Sequence, residues 1–138
     1  MGSTISDSDL KSLIDAAKNA ASNSYSPYSR FAVGAAILCE NGEVYSGCNV
    51  ENAAYGSANC AERSAIFTAI SAGCREVRVV VIYTPTESPA APCGACRQVI
   101  NEFGPDAEIV STCKTEKVIR SRLSDLLPHA FGPKNLET

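Results

Sequence analysis

The 138-residue sequence has no excess of positive charge, no long apolar run and no dense array of cysteines, and each lack removes a class of function. Twelve Lys and Arg against fifteen Asp and Glu leave a net charge of −3 with the single histidine neutral. Affinity built on neutralising phosphates is therefore disfavoured, and neither nucleic acid nor an anionic membrane is an expected partner. No apolar stretch reaches the roughly 18 residues of a membrane span, and Met1 to Asp7 has neither the basic nor the apolar region of a signal peptide. Gly2 and Ser6 match a short myristoylation pattern, but the pattern recurs by chance and no polybasic second anchor follows. The expectation is a soluble, cytoplasmic protein. Seven cysteines in 138 residues fall below the roughly 8–10% of a disulfide scaffold. An odd number cannot all pair within one chain, so metal binding or catalysis is the better reading for any clustered set.

What is present suffices for one domain, residues 1–138, burying roughly two thirds of its unfolded surface. Leu10, Leu13, Ile14, Ala17, Ala20 and Ala21 recur at helical spacing behind a capping Ser6, with Asp9 three residues later. Phe31 to Cys39 reads as a strand, Asn41-Gly42 suits a type I′ turn, and Val44 to Val50 returns as the antiparallel partner. Cys60 to Ser71 is a buried helix stopped at Gly73, and Val77 to Tyr83 is a β-branched central strand. A proline-rich loop leads to a helix with Pro92 in its first turn and Gly104-Pro105 as its stop. Ala107 to Thr112 and Glu116 to Arg120 are two short strands, and Leu123 to Leu127 a short helix. This order predicts a three-layer α/β/α sandwich around a mixed five-stranded sheet.

Cys60, Cys93 and Cys96 stand apart from the other cysteines because each opens a helix. A helix N-terminus favours thiolate over thiol, and the Cys93/Cys96 spacing can meet the roughly 3.8 Å between sulfurs that tetrahedral zinc requires. Three thiolates without an evident fourth ligand leave one position open, as at a catalytic zinc. Glu62 is two residues beyond Cys60, so the two reach a common point only if Cys60 sits at or just before the helix start. A carboxylate there, not itself a ligand, is placed to move a proton to or from water and a leaving group. Cys93-Gly94-Ala95-Cys96 alone also suits a redox pair; the third cysteine and its acidic neighbour favour the metal. A purely structural zinc normally closes its site with four ligands.

The segments Cys60-Ala61-Glu62-Arg63 and Pro92-Cys93-Gly94-Ala95-Cys96-Arg97-Gln98 follow Tyr28-Ser29-Arg30-Phe31-Ala32-Val33-Gly34-Ala35-Ala36 and Gly47-Cys48-Asn49-Val50-Glu51-Asn52-Ala53-Ala54-Tyr55. In content, order and spacing they resemble the small, zinc-dependent, homotetrameric cytidine deaminases, over about residues 10 to 131. The resemblance implies one zinc per chain on Cys60, Cys93 and Cys96. It implies hydrolytic attack at C4 of the cytosine ring, with Glu62 protonating N3 and later the leaving amine. The products of cytidine and deoxycytidine would be uridine, deoxyuridine and ammonia, in pyrimidine salvage. It further implies that Phe31 stacks on the pyrimidine, that Asn49 and Glu51 bind the ribose 3′-hydroxyl, and that the Ala61 N–H holds the base carbonyl. Phe131, after Leu126-Leu127-Pro128, would enter a neighbouring subunit's pocket, and Tyr55, Arg97 and Gln98 would lie near subunit contacts. Arg63 would hydrogen-bond ligand sulfur, offsetting the extra negative charge of an all-thiolate site. A same-fold deaminase of another cytosine-like nucleoside is the alternative.

Simpler roles exist for several of these residues. Phe31 in a strand can be core, and Asn49 and Glu51 at period two can be a strand's solvent face. Arg97 and Gln98 can be helix surface. Cys39, Cys48, Cys74 and Cys113 read as buried packing residues, and His129 as a surface or interface residue.

Overall fold

In the computed structural model, which describes residues 5–136, the chain runs α1 (Asp7–Ala21), β1 (Gly34–Cys39), β2 (Val44–Cys48), α2 (Ala61–Ser71), β3 (Val77–Tyr83), α3 (Gly94–Phe103), β4 (Glu108–Thr112), β5 (Ile119–Arg122) and α4 (Leu123–Leu126). Single 3₁₀ turns occupy Tyr55–Ser57 and Pro133–Leu136. Gly2, with its myristoylation pattern, lies outside the described residues. The strands form one five-stranded sheet in the order β2-β1-β3-β4-β5. Only β3 and β4 are parallel; the other pairs are antiparallel.

The period-two alternation of β1 builds the layers. Ala35, Ile37 and Cys39 face a core that holds Ala61, Ala65, Ile66 and Ala69 of α2, Ile100 of α3 and Leu123 of α4. Ala36 and Leu38 face the other side, against Leu13 and Ala17 of α1. Every residue of β1 is buried, as a strand covered on both faces requires. The predicted sandwich is therefore the observed one. Ser6 caps α1 by accepting the Asp9 N–H at 3.1 Å, which satisfies one of the helix's unpaired donors.

Several boundaries differ from expectation, each for a local reason. Asn41-Gly42 does not form a type I′ turn, because that turn needs positive φ at both central residues and only Gly42 has it, at +88°. Instead the Gly42 N–H donates to the Cys39 carbonyl and the Cys39 N–H to the Glu43 carbonyl, giving a three-residue loop with glycine in the left-handed position. Asn41 Oδ1 is occupied by the Glu43 N–H. Strand β1 starts at Gly34 rather than Phe31, because Asn49 takes the Phe31 carbonyl and the Val33 N–H. Strand β2 ends at Cys48, leaving Val50 in isolated bridges to Tyr25 and Asn59. Strand β5 begins at Ile119, since the Lys117 N–H is drawn to the Thr115 hydroxyl in the preceding turn.

Cys39 and Cys74 are buried as expected, yet they are not merely packing residues: they form a disulfide with Cα atoms 6.2 Å apart. It ties the end of β1 to the turn after α2, at the opposite end of α2 from Cys60. Near the other end, α2 presses on Gly47 of β2, where a Cβ would lie 2.5 Å from the Ala65 nitrogen.

Two outcomes follow for measurement. Gly47→Ala displaces α2 and lowers stability by about 1–3 kcal/mol, as overpacking does, readable as a urea midpoint shift. Alkylation of the denatured, metal-free and unreduced chain labels five of its seven cysteines. Closing a loop between residues 35 apart implies that reduction costs about 4 kcal/mol or less of stability.

Candidate active site

Two helix starts meet at the end of the sheet where Gly34 and Tyr83 pair. Cys60 is the N-cap residue of α2 and Cys93 that of α3, both with extended backbone and neither using its side chain as a cap. Helix α3 thus begins at Gly94, and Pro92 lies ahead of the cap instead of inside the first turn. The extended backbone at Cys93 is what turns its sulfur back toward Cys96, one turn into the helix.

The sulfurs of Cys60, Cys93 and Cys96 all lie within 4.8 Å of one another. Cys60 and Cys93 are 4.0 Å apart and Cys93 and Cys96 3.3 Å, which brackets the roughly 3.8 Å edge of a zinc–sulfur tetrahedron. Soft sulfur donors at this spacing fit zinc, and the three residues are able to hold a metal ion. Their burial is graded: Cys96 is buried, Cys60 half-buried and Cys93 exposed. The thiols differ in proton affinity. Hydrogen bonds from Cys96, Arg63 and Cys93 draw Cys60 down to about 5. That anion in turn, with burial and the nearby Glu62 charge, holds the Cys96 thiol well above its ordinary range.

Glu62, in the first turn of α2, is 6% exposed. Burial pushes its carboxyl up to about 7, and the neighbouring Cys60 charge adds to the shift, against the pull of a backbone hydrogen bond and of Arg63. A carboxyl near 7 beside a nucleophile source is matched to proton transfer at neutral pH. Arg63 donates to the Cys60 sulfur at 3.2 Å, while its buried Nε has no partner among the described residues. The backbone N–H of Ala61 belongs to the same first turn, where the helix itself supplies no acceptor.

Asn49 and Glu51 are not a strand's solvent face; they fasten the loop that carries Phe31. Asn49 Oδ1 accepts from the Ser24 hydroxyl and the Val33 N–H, and Nδ2 donates to the Phe31 carbonyl at 2.7 Å. Glu51 accepts the N–H groups of Tyr28 and Ser29 at 2.9 and 3.1 Å and the Ser29 hydroxyl. The hydroxyl is the chief reason its carboxyl titrates below the usual range, with the two N–H bonds adding to it. Between them Arg30 is held at φ +58°, a strained conformation for a side-chain-bearing residue, and Phe31 is left 38% exposed. Ser24 and Ser29 were not singled out from sequence. Only Ser29 carried a signal, its place beside Phe31 in the Tyr28-to-Ala36 segment.

A cavity of about 340 Å³ is lined by Tyr28, Ser29, Glu51, Asn52, Tyr55 and Ala58, within the range of small-molecule sites. Tyr28 and Tyr55 meet edge to face with centroids 5.9 Å apart. A larger cavity of about 880 Å³ lies at the opposite end of the sheet among Glu40, Arg78, Glu108 and Arg120; neither the clustered thiols nor Glu62 lines it. Arg97 donates to the carbonyls of Pro92 and Leu126, so it braces the approach to Cys93 from within the chain. Gln98 donates to the Phe131 carbonyl. Tyr55 and Phe131 are 76% and 58% exposed.

Residues 7–112 match the family profile described as the cytidine and deoxycytidylate deaminase zinc-binding region. A cytidine deaminase of Sporosarcina psychrophila is 44% identical over 129 residues, covering 93% of this chain and 95% of that one. Another, of Halalkalibacterium halodurans, is 43% identical with 93% and 98% covered. The crystal structure of cytidine deaminase from Burkholderia pseudomallei superposes with a TM-score of 0.84 at 49% identity, over 88% of this chain and 98% of that chain. The chain is a member of the cytidine and deoxycytidylate deaminase family.

Proposed function

We propose that this chain hydrolyses cytidine and deoxycytidine to uridine and deoxyuridine with release of ammonia, as a single catalytic domain serving pyrimidine salvage in the cytoplasm. The observation that carries the reading is a buried carboxyl, Glu62, set beside three converging sulfurs. Cys60, Cys93 and Cys96 would hold one zinc ion, which when bound would supply the Lewis acidity that lets water act as a nucleophile near neutral pH. Glu62 takes one proton from the attacking water and delivers it to N3 as the oxygen bonds to C4; it then takes the remaining proton from the new C4 hydroxyl and passes it to the amine, which leaves as ammonia while the C4 carbonyl forms. Water is consumed and ammonia released, so the overall change is balanced without a redox partner.

Positioning follows from the same geometry. Phe31 offers a ring to the pyrimidine face, and the Ala61 N–H offers a donor to its carbonyl. Asn49 has one N–H left and Glu51 Oε2 retains acceptor capacity after their bonds within the chain. A sugar hydroxyl can satisfy both, accepting from the amide and donating to the carboxylate. Tyr55 and Phe131, exposed in one chain, are the aromatics expected at subunit contacts, with Phe131 entering a neighbour's pocket in a homotetramer. Among the described residues no helix is long and apolar enough to cross a membrane.

Loss of cytidine's absorbance band on addition of zinc-loaded protein tests the activity, with deoxycytidine and oligonucleotides in the same panel. Glu62→Ala should lower kcat by about 10²–10⁴-fold with zinc retained at one per chain; full activity in that variant overturns the assignment. Arg63→Gln removes the donor to Cys60 and leaves the all-thiolate site more negative. It should slow the chemical step about 10–100-fold while metal analysis still finds zinc, and an unchanged kcat in the zinc-replete variant rules out the role.

A further inference from the structure

Phe131 is an exposed ring on a firmly seated backbone. Its carbonyl accepts two side-chain amides from α3, Gln98 Nε2 at 2.9 Å and Asn101 Nδ2 at 3.2 Å. Asn101 is only 8% exposed, so its amide is buried to make this contact, and a buried amide is costly unless bonded. The next residue packs closely on the same amide: a Cβ on Gly132 would sit 3.0 Å from Asn101 Nδ2, so the amide would have to give by a few tenths of an ångström. The Gly132 N–H donates to Asn135 Oδ1 and the Asn135 N–H returns to the Gly132 carbonyl. Upstream, His129 turns the chain with φ +53°, and Arg97 grips the Leu126 carbonyl. The backbone is thus pinned from both sides, while 58% of the residue stays open to solvent.

We propose that Asn101 and Gln98 are positioning residues that act in trans, seating Phe131 on α3 so that its ring is presented at a fixed height to the pocket of a neighbouring copy. The proposal rests on the reading that Phe131 enters a neighbour's site. Its consequence is that one helix serves two sites. The start of α3 carries two of the sulfurs of its own chain, and its next turn sets a wall of the adjoining one.

Asn101→Leu keeps the side-chain volume and removes the donor; Gln98→Met does the same at an exposed position that does not challenge folding. Each should raise KM for cytidine about 5–10-fold, the loss of one positioning hydrogen bond, with kcat within about twofold and zinc at one per chain. The decisive measurement is complementation. Each variant is co-assembled with an excess of Glu62→Ala chains, which are inactive but carry intact Asn101, Gln98 and Phe131. The remaining active sites then receive their neighbours' correctly seated ring, and KM should return to the wild-type value. A KM that stays high in the mixed oligomers places the effect within the same chain and overturns the proposal. Phe131→Ala separates the two layers: if it leaves KM unchanged, the donation of the ring itself is wrong. If its defect is rescued by Glu62→Ala chains while Asn101→Leu and Gln98→Met show no defect, the ring is donated but these residues do not position it.

Discussion

Three sulfurs within 4.8 Å of one another pose an electrostatic problem that the protein alone resolves only partly. One anion is affordable: Cys60 sits at a helix N-terminus, accepts from Arg63 and titrates near 5. The same negative charge then holds Cys96 protonated, and burial keeps Glu62 from ionising in its ordinary range. Among the described residues, Arg63 is the cation that acts on these groups. A divalent cation removes the conflict by turning mutual repulsion into shared attraction, in keeping with the sulfur spacing and with the zinc-binding region that the chain matches.

The geometry depends on packing remote from the sulfurs. Helix α2 can bring Cys60 and Glu62 to the sheet end only because Gly47 lets it lie almost on the backbone of β2. The Cys39–Cys74 bridge fixes its other end to β1. Helix α3 approaches through a proline-rich loop whose last carbonyl, that of Pro92, is gripped by Arg97. The two caps are thereby brought into register by elements that contribute no chemistry.

The second constraint is the loop before β1. Asn49 and Glu51 spend most of their hydrogen-bonding capacity on it, and Ser29 and Ser24 answer them from the loop side. These bonds force Arg30 into a left-handed conformation and present Phe31. The residues proposed to recognise the sugar are therefore also those that hold the loop of Phe31, so the proposed base and sugar contacts share one hydrogen-bonded unit.

Local pattern determined much of this protein from sequence: the helices and strands, the layers, Cys60 as a cap residue, and the Cys93/Cys96 pair. Periodicity and helix-end chemistry act over a few residues, so they can be read along the chain. Only tertiary structure decided the rest. Cys39 and Cys74 are 35 residues apart, and no spacing rule pairs them. Asn49 lies beyond a strand end, where its amide competes with the sheet for the Phe31 carbonyl. Asn101 is one polar residue in an amphipathic helix until the chain, 30 residues later, lays a carbonyl across it. A hydrogen bond between distant segments leaves no period in the sequence, because what fixes it is the packing that brings the segments together.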